Sequence, residues 1–109
     1  MTGGGAFGDM GNLLKQAQQM QRELDRAREE LRTAMVSGTA GGGAVRVDAT
    51  GEGMVVRVSI KPDAVATGDA SLLEDLVLAA TQDALQKARE LHQERMARVT
   101  GGLNLPGLI

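Results

Sequence analysis

Cationic side chains are the groups in this 109-residue sequence with the clearest capacity for chemistry. Lys15, Arg22 and Arg26 stand in one glycine-free stretch, 12–37, and Arg89, Arg95 and Arg98 in another, 69–100. Ammonium and guanidinium groups repeated along a helix can neutralise phosphates, giving binding that tolerates many sequences and weakens linearly in log salt. The plainer reading of the same charges is a solvated helix face, with Glu23 and Arg28 as a coiled-coil edge pair and Arg95 and Arg98 favouring a helix C-terminus. The formal net charge is −2, unlike the strongly basic balance of most nucleic-acid-binding domains. The acids, however, are concentrated. No Lys or Arg lies between Lys61 and Lys87, an interval that holds Asp63, Asp69, Glu74, Asp75 and Asp83. Residues 10–35 carry five basic and four acidic side chains and residues 84–100 carry four and two, so these two stretches together are +3.

Other chemistry is weakly signalled. His92 is the single histidine and has no second metal ligand at diagnostic spacing, so no metal and no cofactor are expected. Glu90 and Glu94 read as helix-surface acids, not an acid–base pair. Gly41-Gly42-Gly43 lacks the Lys-Ser or Lys-Thr of a phosphate loop and leads toward a strand, so it reads as a bend. No nucleophile, base and oxyanion set emerges, and an enzyme is not expected. With no cysteine, thiolate metal sites and disulfides are excluded. One aromatic, Phe7, argues against stacking on single strands or RNA and leaves duplex DNA as the better polyanion. The run Gln16, Gln18, Gln19 and Gln21 is foremost neutral helix former.

The elements that must carry these cations follow from periodicity. Met10, Leu13, Ala17, Met20, Leu24, Ala27, Leu31 and Ala34 alternate spacings of three and four, a heptad seam that predicts a long helix paired with another helix. The seam is thin, with Ala at three of its eight positions. From residue 38 a period of two takes over. Val45, Val47 and Ala49, the turn Thr50-Gly51-Glu52-Gly53, and Met54, Val56, Val58 and Ile60 predict a β-hairpin, with Ala34 to Ala40 as a weaker third strand. So small a sheet needs a cover, and its open edge invites a second copy. Ser71-Leu72-Leu73-Glu74 reads as a capping box opening a second long helix, with Leu73, Leu76, Val77, Ala80, Ala84, Ala88, Leu91 and Val99 on one side and Gly101-Gly102 as its end. The simplest packing sets the helices antiparallel, with Leu31 near Leu73 and Met10 near Val99, so that Lys15, Arg22, Arg89, Arg95 and Arg98 gather on the distal half of a two-helix arm and Arg26 lies nearer the body.

Met10-Gly11-Asn12-Leu13-Leu14-Lys15-Gln16-Ala17-Gln18-Gln19-Met20-Gln21 resembles the opening of the YbaB/EbfC family. Ala44-Val45-Arg46-Val47, Val58-Ser59-Ile60-Lys61-Pro62, Leu73-Glu74-Asp75-Leu76-Val77 and Leu105-Pro106-Gly107 extend the likeness over essentially the whole chain from Met10. The resemblance implies a tweezer-like homodimer joined through its sheets, with helical arms that associate with double-stranded DNA in the bacterial nucleoid.

The expected fold is therefore α+β: a long helix, a small antiparallel sheet of two or three strands, and a second long helix. A flexible lead (1–9), one domain (10–100) and an apolar tail (101–109) are expected. Val45, Val47, Met54, Val56, Val58 and Ile60 are the candidate dimer interface, and Lys15, Arg22, Arg26, Arg89, Arg95 and Arg98 the candidate DNA contacts. No run of 18 apolar residues occurs and the first residues lack a signal core, so a cytoplasmic, nucleoid-associated protein without a membrane partner is expected. The competing reading is a protein-interaction adaptor whose seam and tail capture a helix of a DNA repair or replication protein, recognisable by an exposed apolar groove.

Overall fold

The computed structural model describes the backbone of residues 2–103, with side chains described over 9–101. Its order is α1 (Thr2–Thr33), β1 (Met35–Ala40), β2 (Val45–Thr50), β3 (Val55–Ile60), a short α2 (Pro62–Ala66) and α3 (Ala70–Leu103). The α+β arrangement of two long helices around a small antiparallel sheet is thus as expected, and the weak third strand is present as β1. Helix α1 runs back to Thr2 through the segment expected to be a lead, and α3 runs on through Gly101-Gly102 to Leu103. Once nucleated, a helix gains one hydrogen bond per residue added and can cross glycines that each cost about 1 kcal/mol relative to Ala. The rest of the expected tail, 104–109, lies outside the described residues.

The sheet order is β1-β2-β3. Gly41, Gly42 and Gly43 turn the chain between β1 and β2 with φ of 65°, 66° and 94°, values that side chains with a Cβ rarely adopt. Val45, Val47 and Ala49 all point to one face and are fully buried there, under Ala80 and Ala84 of α3. The helix approaches so closely that a Cβ added at Gly38 would lie 2.2 Å from the Ala84 nitrogen and 2.4 Å from the Ala80 oxygen. Small residues on both sides create this contact, and it determines where along its length α3 crosses the sheet.

Three local expectations are corrected. Helix α3 is capped by Asp69, whose Oδ1 accepts the Leu72 N–H at 3.0 Å, so the cap lies two residues before Ser71 and the helix begins at Ala70. A carboxylate there also complements the positive end of the helix dipole. In β3, Val58 faces Val47 and Ile60 faces Val45, but Ala49 is opposite Val55, making Val56 an extra, bulged residue. The expected alternation of Met54 and Val56 with Val58 therefore breaks at the bulge.

The third correction concerns the helix pair. Arg95 donates to Glu30 across it at 2.6 Å, and Val99 shares a hollow with Glu23 and Ala27. The helices run antiparallel as expected, but α1 pairs with the last third of α3. The earlier part of α3 is occupied by the sheet. Leu31 accordingly reaches Gly51 at the β2–β3 turn, while Leu73 packs on the core under the sheet. Leu31 and Ala27 are buried, whereas Met10 and Leu13 are each 63% exposed. The chain is drawn out to 80 × 22 × 16 Å.

Candidate nucleic-acid interface

Each of the six sequence-predicted cations lies on a helix surface, in surroundings set by how far α3 is displaced along α1. Arg26, Arg95 and Arg98 come together around a hollow of about 210 Å³ that also holds Glu23, Glu30, Ala27 and Val99. All three have carboxylate partners: Arg26 with Glu23 at 3.5 Å, Arg95 with Glu30 and Arg98 with Glu94, both at 2.6 Å. Arg89 does not join them on the distal arm. It lies at the root, donating to Gln86 at 2.8 Å and lining with His92 a hollow beside Gly51, Glu52 and Gly53. Lys15 and Arg22 extend outward along α1, both exposed, and form no ion pair with a described carboxylate. Along α1 the candidate cations go from ion-paired at Arg26 to unpaired at Arg22 and Lys15 toward the tip.

The expected interface residues divide by strand. Val45 and Val47 are completely enclosed by α3, and β2 is the middle strand with both edges taken, so these two serve the chain's own core instead of the expected dimer contact. Met54, Val56, Val58 and Ile60 are exposed, as is every residue of β3. The two sheet edges differ in kind. At β1, Asp83 of α3 accepts the Thr39 N–H at 3.1 Å and Lys87 donates to the Ser37 carbonyl at 3.1 Å, occupying outward backbone groups. Edge β3 has no such cover among the described residues. Beside it, Ile60, Ala70, Leu73, Val77, Leu78 and Thr81 line an open apolar groove of about 590 Å³.

Two carboxylates are held below the usual range. Asp48 accepts from Ser37 Oγ at 2.6 Å and from Arg46 Nε at 2.9 Å, with the hydroxyl bond the larger cause and Arg46 next. Asp83 is lowered first by the Thr39 backbone N–H and then by Lys87 at 3.2 Å. Both are structural ties within the sheet or between sheet and helix. Three further cations that helix periodicity does not single out, Arg46, Arg57 and Lys61, lie on or beside the sheet. Their signal is present in the period of two, because Arg46 alternates with the core Val45 and Val47, and Arg57 stands opposite Asp48 on the same side, so both face away from α3.

No helix among the described residues is long and apolar enough to cross a membrane. A crystal structure of an uncharacterized protein from Helicobacter pylori has the same fold, with a TM-score of 0.65 over 81% of this chain and 89% of that one at 23% identity. A nucleoid-associated protein of Ruminiclostridium cellulolyticum is 43% identical over 97% of this chain and 93% of its own length. Another, from Thermoanaerobacter pseudethanolicus, is 49% identical over 92% of this chain and 90% of its own. The sequence profile of the YbaB/EbfC DNA-binding family matches residues 7–103. With two long helices carrying cations away from a small sheet, and a match that spans nearly every described residue, this chain belongs to the YbaB/EbfC DNA-binding family.

Proposed function

We infer that the protein is a bacterial nucleoid-associated protein that binds double-stranded DNA as a homodimer, through cations on its helical arms, and acts in nucleoid organisation or transcription modulation. Family membership over residues 7–103 is the observation that carries this reading. The arms supply its mechanism. Thirty-two residues of α1 span about 48 Å at ~1.5 Å per residue, longer than one ~34 Å turn of B-DNA. Lys15 and Arg22 meet phosphate first, while Arg26, Arg89, Arg95 and Arg98 can exchange an exposed intramolecular partner for a phosphate at small cost. Pairing through β3 joins two arm sets on one continuous sheet, and the apolar groove beside β3 is continuous with that edge, so a second copy accounts for it. The groove is also the mark expected of an adaptor, the second reading.

The test is fluorescence anisotropy with random-sequence duplex across about 50 to 200 mM salt. Wild-type protein is compared with a variant in which Lys15, Arg22, Arg26 and Arg98 are Ala. The expected result is binding that falls with salt, and in the variant a slope shallower by about 0.9 for each phosphate no longer neutralised. Failure of a folded wild-type dimer to bind at low salt overturns the DNA reading and favours the adaptor.

A further inference from the structure

The sheet has a second face, turned away from α3. Strand alternation places Ser37 and Thr39 of β1, Arg46 and Asp48 of β2, and Arg57 and Ser59 of β3 on it, opposite the buried Val45, Val47 and Ala49. Thr39, Arg46, Arg57, Ser59 and the following Lys61 are exposed. Arg46, Ser59 and Lys61 share a shallow hollow of about 300 Å³ with Gly43 and Pro62. Across three strands the only carboxylate is Asp48. It holds Arg46 at Nε, and Ser37 Oγ accepts from Arg46 Nη2 at 3.1 Å, while Arg57 and Lys61 form no ion pair with a described carboxylate. Arg46, Arg57 and Lys61 against Asp48 leave this face with a surplus of two positive charges in each protomer, in a chain whose formal charge is −2. Arg57 and Lys61 thus resemble Lys15 and Arg22 toward the arm tip, whereas Arg26, Arg95 and Arg98, like Arg46, each have a carboxylate within 4 Å.

This composition suits one kind of partner. Arginine, lysine and hydroxyl side chains without aromatic rings are the groups that contact DNA phosphates without reading or stacking bases. Continuation of the sheet through β3 would put Arg57 beside its copy's strand and Arg46 one strand, about 5 Å, further out. A band of cations then crosses the middle of the dimer between the roots of the arms.

We propose that this face of the sheet is a second DNA-contacting surface, where Arg57, Lys61 and Arg46, with the hydroxyls of Ser59 and Thr39, hold phosphates of the duplex backbone. The proposal rests on the duplex-DNA reading above and adds a surface that reading does not include. Contact here is independent of base sequence and draws the duplex against the body of the dimer, so that the arms flank DNA already held at the sheet.

The chain has three lysines, which permits a test on unaltered protein: Lys15 marks the arm, Lys61 the sheet face and Lys87 the α3–β1 contact. Lysine acetylation is followed by mass spectrometry with and without saturating random-sequence duplex. In parallel, R57A/K61A and the charge-retaining R57K/K61R are titrated with the duplex across salt. Protection of Lys61 by DNA is expected, together with a salt slope shallower by about 2 to 4 in R57A/K61A and unchanged in R57K/K61R. If wild-type protein binds while Lys61 reacts as fast with DNA as without and R57A/K61A keeps its slope, the sheet face makes no contact and the arm reading alone stands. If wild-type protein does not bind at all, both fall. Should R57A/K61A alter dimer content, protection of Lys61 in the wild-type protein decides.

Discussion

Individual side chains here do two kinds of work, and Asp83 shows the difference. Its carboxylate touches none of the cations proposed to contact DNA, but it accepts the Thr39 N–H at 3.1 Å and pairs with Lys87 at 3.2 Å, tying α3 to the outer edge of β1. These partners lower its pKa in the folded protein, the backbone hydrogen bond most. A carboxyl with a folded pKa below its unfolded one contributes stability that is fully present above the unfolded value and lost as pH falls through the folded value. Asp48, lowered by Ser37 and then Arg46, adds to the same acid sensitivity. Asp83→Asn is therefore expected to unfold at lower urea concentration than wild type at neutral pH, and to lose less of that midpoint between about pH 5 and pH 3. Parallel midpoint curves for the two proteins would show that the Asp83 contacts contribute nothing. The DNA candidates are of the other kind: exposed cations whose type and spacing are visible in the sequence, but whose partners are not.

Among elements, the contact of α3 with β1 governs the rest. Ala80 and Ala84 present almost bare helix backbone to Gly38, and the added Cβ that would lie 2.2 Å from the Ala84 nitrogen has nowhere to go. The neighbours are main-chain atoms, which cannot rotate aside. Gly38→Ala is expected to destabilise the fold by about 1–3 kcal/mol or more, with helix content largely kept, because the strain separates α3 from the sheet without disturbing either helix's own hydrogen bonds. Urea unfolding followed by circular dichroism measures it, and a destabilisation under about 0.5 kcal/mol would mean that the two elements move apart freely. The same contact explains the helix pairing. Since α3 must pass under Gly38 near Ala80 and Ala84, only its later residues are left for α1, and Arg95 meets Glu30.

For the whole molecule, shape is the leading fact. The radius of gyration is 21.8 Å, against about 13 Å for a compact chain of ~100 residues, so the protomer leaves much of its apolar surface uncovered. Edge β3 and the groove beside it are one such surface. The Lys61 N–H bonds back to Ala44 at 2.9 Å, and by alternation Val58 and Ile60 turn their backbone groups to the open side. Val58→Pro removes an outward donor while sparing the bonds to β2, which is where proline is tolerated on an edge strand. The variant is expected to sediment as the 11.4 kDa monomer where wild type sediments at twice that mass, and to bind duplex DNA about a hundredfold more weakly because a monomer carries one set of arms instead of two. A folded variant that remains dimeric would place the interface elsewhere.

Local pattern is enough to read the order helix, sheet, helix, the hairpin turn at Gly51 to Gly53, and the list of arm cations, because heptad spacing and strand alternation are properties of neighbouring residues. Resemblance over residues 10–107 is legible in the same way. What periodicity does not contain is displacement along an axis or the occupancy of a face. A seam from Met10 to Ala34 specifies the apolar side of α1 but not which turn of α3 meets it, so periodicity puts Arg89 on the distal arm whereas it lies at the root. Alternating valines specify two faces of a strand but not which is covered, so Val45 and Val47 read as interface although α3 buries them completely. The bulge at Val56 shifts the pattern in β3 by a residue. These features are decided by tertiary packing, where the close approach of Gly38 to Ala80 and Ala84 sets the position of α3, and with it which cations are paired and which strand is left open.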